Sequence, residues 1–160
     1  MIFLQKKITN LNLNLNLNLN LKNMYPAELV APMQSDLTDH GFEALNTTDS
    51  VKEVLDSKEG TVLVVVNSVC GCAAANARPG AKLALQHEKK PDKAVTVFAG
   101  VDKDAVNTVR MYMLPYPPSS PSIALFKDGK LVHFIERHQI EGRMAEHIAE
   151  NLKMAFDQHC

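Results

Sequence analysis

Cys70 and Cys72 stand one residue apart in the stretch VNSVCGCAAANARPG, residues 66–80, of a chain with three cysteines in all. They follow an apolar β-branched run and open an alanine-rich segment. Cys70 therefore falls where a strand turns into a helix. Free backbone N–H groups and the helix dipole favour negative charge at such a point. The thiolate is the nucleophilic form of cysteine, so the position should lower the Cys70 thiol pKa and raise its reactivity.

A bond between the two cysteines is a geometric question. Residues two apart on an ideal helix have Cα atoms about 5.4 Å apart, inside the disulfide range of about 4.4–6.8 Å. Their side chains, however, point about 200° apart around the helix. The pair closes only if Cys70 precedes the helical winding, and Gly71, lacking a Cβ, relaxes that joint. A small ring of this kind is more easily reduced than a structural bridge. Alternatively, Cys72 acts only transiently on a mixed disulfide, or tunes Cys70. Two other readings stand beside redox chemistry. The cysteines could be small buried residues, or part of a metal site. Zinc usually takes four ligands. Only Cys70 and Cys72 are clustered, so His133, His138 or Cys160 would have to complete such a site through the fold.

The surrounding elements must present the motif. Pro26 opens a helix, AELVAPMQSDLTDHG, kinked or split at Pro32 and ended by Gly41. FEALN is a short strand candidate. Thr48 or Asp49 caps the helix SVKEVLDSKEG, with Gly60 as its stop. TVLVVVNS is an unbroken apolar run, the mark of a strand buried on both faces. Residues 71–88 form the next helix, with Pro79 as a kink. AVTVFAGVD is a second buried strand, and KDAVNTVRMYML an amphipathic helix. PYPPSSP is a rigid turn in which Pro117 and Pro118 are plain turn formers. SIALFKDGKLVHFIER is a hairpin turning at Asp128-Gly129. The chain closes with a helix whose apolar face carries Met144, Ile148, Leu152, Ala155 and Phe156. Helical crossovers imply parallel strands and the hairpin adds antiparallel ones. The fold class is α/β, a mixed central sheet with helices on both faces. Such sheets place sites beyond the C-terminal ends of parallel strands, where Cys70 falls.

Composition bounds the function. With 160 residues, 46% apolar and 22% charged, the chain suits one soluble domain. A net charge of −1 leaves no basic footprint for nucleic acid or a membrane surface. No apolar run approaches the roughly 20 residues a membrane helix needs. MIFLQKKITN does not read as a secretory signal, so a cytoplasmic location is expected. Disulfides there are usually transient, catalytic or redox-sensing. Residues 10–21, NLNLNLNLNLNL, alternate with the strand period. We read residues 1–23 as a low-complexity tail, or as translation from upstream of a start at Met24, and residues 24–160 as the folded domain.

MYPAELVAPM, VNSVCGCAAANARPG, PPSSPSIALFKDG and ERHQIEGR together resemble the bacilliredoxins, proteins with a thioredoxin-like fold. The resemblance spans residues 24–160. It implies a thiol–disulfide oxidoreductase of cell redox homeostasis that removes bacillithiol from S-bacillithiolated client proteins. Bacillithiol would be the co-substrate, with no bound cofactor and no metal. By position, Cys70 is the attacking nucleophile and Cys72 the resolving thiol. Pro121 matches the loop proline that such folds set opposite the active cysteine with a cis Ser120–Pro121 bond. Gly71, Ser120 and Pro121 would then contact substrate. A general protein disulfide isomerase is the alternative within redox chemistry, and a metal carrier using Cys70 and Cys72 the alternative outside it.

Many thioredoxins carry a buried acid in the strand before the motif. VLVVV has none here. Asn67, the nearest polar residue, reads as a strand-end hydrogen bonder, and general-base help for Cys72 is unassigned. Arg78 reads as a solvated side chain, Glu136, Arg137 and His138 as a surface polar cluster, and Cys160 as an incidental terminal thiol. Met111, Met113, Met144 and Met154 read as core or surface filling.

Overall fold

A computed structural model describes residues 24–160. The expectations for residues 1–23 and for a start at Met24 lie outside the described residues. In chain order the elements are α1 (Ala27–Thr38), β1 (Glu43–Ala44), α2 (Thr48–Leu55) and β2 (Thr61–Asn67). A π-helical turn (Ala73–Ala77) leads into α3 (Arg78–Ala84). Then come β3 (Lys93–Phe98), α4 (Lys103–Tyr112), β4 (Ser122–Lys127), β5 (Lys130–Ile135), α5 (Arg137–Ile140) and α6 (Ala145–His159).

The strands form one sheet in the order β1-β3-β2-β4-β5. β2 and β3 run parallel, as do β1 and β3, while β4 and β5 are antiparallel additions. Every residue of β2 is buried. Its alternation explains why the run is apolar throughout: Leu63 and Val65 face a core shared with α1, α3 and α6, and Val62, Val64 and Val66 face one shared with α2 and α4. The expected mixed sheet with helices on both faces is therefore present. At the hairpin turn Asp128 (φ 51°) and Gly129 (φ 79°) both adopt the left-handed conformation that a two-residue turn requires.

Local details differ from the sequence reading. Pro32 neither splits nor ends α1, which runs unbroken through it. The cap of α2 is Thr47 rather than Thr48 or Asp49, in a reciprocal box with Ser50. On α6, Ile148, Leu152, Ala155 and Phe156 are buried, but Met144 is its exposed N-cap. Met113 is in the core, whereas Met111 and Met154 are exposed. Glu136 and Arg137, read as the end of the hairpin, instead cap and open the short α5.

α3 packs tightly on α6. A Cβ at Gly80 would come within 2.8 Å of the Ile148 side chain, so only glycine admits this approach. That contact holds the motif-bearing helix against α6.

Candidate active site

β2 delivers the motif. After Asn67 the chain leaves the sheet, bends at Val69 and Cys70, and begins to wind at 71–72. Cys70 O accepts from Ala73 N at 3.0 Å and Ala74 N at 3.3 Å, so Cys70 stands just before the helix. This is the position that lets the two side chains meet. Cys70 and Cys72 form a disulfide with Cα atoms 5.4 Å apart. Gly71 is exposed, has no positive φ, and a Cβ there would meet nothing within 4 Å. The joint thus does not depend on glycine's special backbone freedom. What glycine does is leave the outer surface of the motif bare.

The helix is not regular. The Arg78 N–H donates to Ala73 O, five residues back. Pro79 has no N–H to offer Ala75 O, and the π-turn opens at the point where that bond is missing. The kink expected at Pro79 takes this form.

Arg78 follows this turn directly. The sequence reading left Arg78 in solvent; the structure corrects this, with Arg78 only 5% exposed beneath the motif. Its Nη1 donates to Asn67 Oδ1 at 3.0 Å and to Ser68 O at 3.2 Å. Its Nε donates to Asp36 Oδ2 of α1 at 2.9 Å. Lys82 Nζ binds the other Asp36 oxygen at 2.5 Å. Burial alone would push the Asp36 carboxyl up. The hydrogen bonds and charges of Lys82 and Arg78 outweigh it and hold the carboxyl below its usual 3.8. Asn67 is the strand-end hydrogen bonder expected of it. Its Nδ2 donates to Met33 O at 3.0 Å, and its Oδ1 accepts from Ser68 N at 2.9 Å as well as from Arg78.

This network ends on the Cys70 sulfur. Ser68 Oγ accepts from Cys70 N at 3.4 Å and donates toward Cys70 Sγ at 3.3 Å. Ser68 was not singled out in the sequence. Its signal was present: Asn67-Ser68 is a polar pair directly after the apolar run Val62–Val66.

The loop before β4 faces the motif. Ser120–Pro121 is cis, as the resemblance implied, and Leu114–Pro115 is also cis. Tyr116 stacks on Phe134 of β5 with ring centroids 4.5 Å apart, anchoring this loop. A cleft of about 470 Å³ opens beside Cys70, bordered by Ser68, Ser120, Lys103, Asn107, Arg110 and Arg137 among others. Ser120 and Cys70 line it together. Gly71 and Pro121 do not, Pro121 being buried behind Ser120. Arg137, read as part of a surface polar cluster, borders the cleft and donates from Nη1 to Ser120 O at 3.2 Å.

Known proteins place this arrangement. The family model described as "Disulphide isomerase" matches residues 25–160. A bacilliredoxin of Cytophaga hutchinsonii is 59% identical over 135 residues, covering 84% of this chain and 99% of its own. The chain belongs to the bacilliredoxin family. A bacilliredoxin of Halalkalibacterium halodurans is 52% identical over 136 residues, covering 85% of this chain and 94% of its own. Solved structures show the fold to be thioredoxin-like. Thioredoxin of Schistosoma mansoni superposes with a TM-score of 0.53 at 16% identity, over 75% of this chain and 99% of its own. Mitochondrial thioredoxin 3 of Saccharomyces cerevisiae gives 0.53 at 14% identity, over 78% and 99%. This bacilliredoxin-family chain is accordingly a thiol–disulfide oxidoreductase. Among the described residues, no helix is long and apolar enough to cross a membrane.

Proposed function

We propose that the protein removes bacillithiol from S-bacillithiolated client proteins in the cytoplasm, with Cys70 as nucleophile and Cys72 as resolving thiol. The observation that carries this reading is the Cys70–Cys72 pair itself, placed at the head of its helix with Ser68 hydrogen-bonded to Cys70 and Ser120 across the cleft. In the reduced protein, the Cys70 thiolate attacks the bacillithiol sulfur of the mixed disulfide. The client sulfur leaves as a thiolate and takes up a proton. Cys70 is now disulfide-bonded to bacillithiol. The Cys72 thiolate then attacks Cys70 Sγ, bacillithiol leaves as its thiolate, and the Cys70–Cys72 disulfide forms. Two electrons have passed from the dithiol to the mixed disulfide. A further thiol reductant must return them to complete the cycle. Ser120 supplies a backbone edge for an extended substrate, with Pro121 shaping it from behind and bare Gly71 leaving room for the client. The family model's description favours a second reading, exchange among disulfides of protein clients without a small thiol.

Intact-protein mass separates the two. A bacillithiol-blocked model client is mixed with wild type, Cys70→Ser and Cys72→Ser. The proposal expects the client to lose bacillithiol to wild type, the Cys72→Ser protein to gain it on Cys70, and Cys70→Ser to be inert. Active Cys70→Ser protein would overturn the assignment. Reduction of a peptide disulfide with no bacillithiol transfer would favour the second reading.

A further inference from the structure

The cleft beside Cys70 has a charge that thiol exchange alone does not require. Lys103, Asn107 and Arg110 lie at i, i+4 and i+7 on α4, so one helix face presents all three to the cleft. Arg137 borders it from α5, fixed to Ser120 O at 3.2 Å. Among the described residues, no carboxylate lines the cleft. Asp102, close by in sequence, accepts from Phe98 N at 3.2 Å, and Glu141, which does not line the cleft, lies 3.7 Å from Arg137 Nε and offsets part of its charge. Among the described residues Lys103 and Arg110 form no ion pair. The Nε of Arg110 is buried without a hydrogen-bond partner. A guanidinium with no acid partner among the described residues can pair with an arriving anion through its outer N–H groups. The volume, about 470 Å³, is that of a small-molecule site.

We propose that this cleft is an anion subsite that holds the carboxylates of a small acidic thiol while its sulfur is bonded to Cys70. Arg110 and Lys103 bind the carboxylates from α4, Asn107 donates between them, and Arg137 adds charge from the opposite side. The subsite selects acidic low-molecular-weight thiols over neutral ones of similar size. It also attracts them, because a cleft of one sign raises the local concentration of the opposite charge. The inference rests on Cys70 being the exchanging thiol, as proposed above.

The test compares two mixed disulfides of one single-cysteine model client, one blocked with mercaptosuccinate and one with 2-mercaptoethanol. Transfer of each small thiol to Cys70 of the Cys72→Ser protein is timed by intact mass. Each rate is divided by that of dithiothreitol on the same disulfide, which removes intrinsic reactivity. The expected preference for mercaptosuccinate is about tenfold at about 0.01 M ionic strength, and it shrinks toward one at about 1 M salt. Adding Lys103→Gln and Arg110→Gln should bring the low-salt ratio to near one, with Arg110→Lys retaining much of it. Lys103 is exposed, so Lys103→Gln alone reports a reduced ratio even if replacing Arg110 unfolds the protein. A low-salt ratio near one without these substitutions, or a ratio unmoved by them, overturns the subsite. Transfer of neither thiol is a different result: it removes Cys70 as the exchanging thiol, and the subsite falls with it.

Discussion

At the scale of the residue, reactivity turns on what the Cys70 sulfur meets once the disulfide is reduced. Ser68 Oγ, 3.3 Å away, supplies an O–H to a thiolate. Ser68 is itself held from two sides, by Asn67 Oδ1 at its N–H and by Arg78 Nη1 at its carbonyl. The hydroxyl is thus positioned before the sulfur is charged, rather than recruited afterwards. A hydrogen bond to an ionised group contributes more than a neutral one, about 1.5–3 kcal/mol. Ser68→Ala should therefore slow alkylation of reduced Cys70 by iodoacetamide at pH 7 about tenfold. An unchanged rate would show that the helix start alone activates the sulfur. This contact was half legible in the sequence. The proximity of Ser68 to Cys70 along the chain is plain, but the direction of its hydroxyl depends on Arg78, ten residues on and one π-turn away.

At the scale of the element, the motif helix is tied to α1 by one ionic clamp. Asp36 accepts from both Arg78 and Lys82, and Arg78 is nearly buried. Removing the carboxylate leaves a buried guanidinium short of its countercharge, which is costly. Asp36→Asn should lower stability at pH 7 by about 1–3 kcal/mol, read from denaturant midpoints. The pH dependence has a definite sign. The folded Asp36 carboxyl titrates below its ordinary 3.8, so its contribution is complete above that value and is lost as pH falls through the lower folded one. The gap between wild type and Asp36→Asn should close as pH is lowered below about 4. A gap that stays constant to pH 2 would mean the charge is not what the clamp supplies. Nothing in the local sequence announces this pair, because its partners lie 42 residues apart. The position of Arg78 two turns into the motif helix does not reveal that it is buried. Its contacts with Asp36 of α1 and with Asn67 and Ser68 at the end of β2 hold it inside.

At the scale of the whole molecule, the fold separates its thiols. Cys160 lies beside Thr61 at the start of β2, whereas Cys70 follows the end of that strand. The strand's rise alone puts about 20 Å between them. Cys160 is exposed overall, but partial desolvation of its sulfur raises the thiol above its usual 9.0, so it stays protonated at neutral pH. Cys160→Ser should leave bacillithiol transfer within about twofold of wild type, and Cys70 should be alkylated well before Cys160 in the reduced protein. Loss of transfer in Cys160→Ser would give the terminal thiol a part in the cycle. The same separation of regions applies to charge. A chain of net charge −1 still concentrates Lys103, Arg110 and Arg137 around one cleft.

By itself the sequence determined the sheet, its order of elements and the place of the cysteines. These follow from local rules: an apolar run marks β2, Asp128-Gly129 turns the hairpin, and a strand-to-helix joint carries the motif. The tertiary structure decided the rest. It brought Asp36 to Arg78, Arg137 to Ser120, and the α4 cations to Cys70. Those meetings join residues from separate elements, and their geometry is set by how helices pack across a twisted sheet. Side-chain type shows which groups could interact. Only the packed fold determines which of them come within hydrogen-bonding distance.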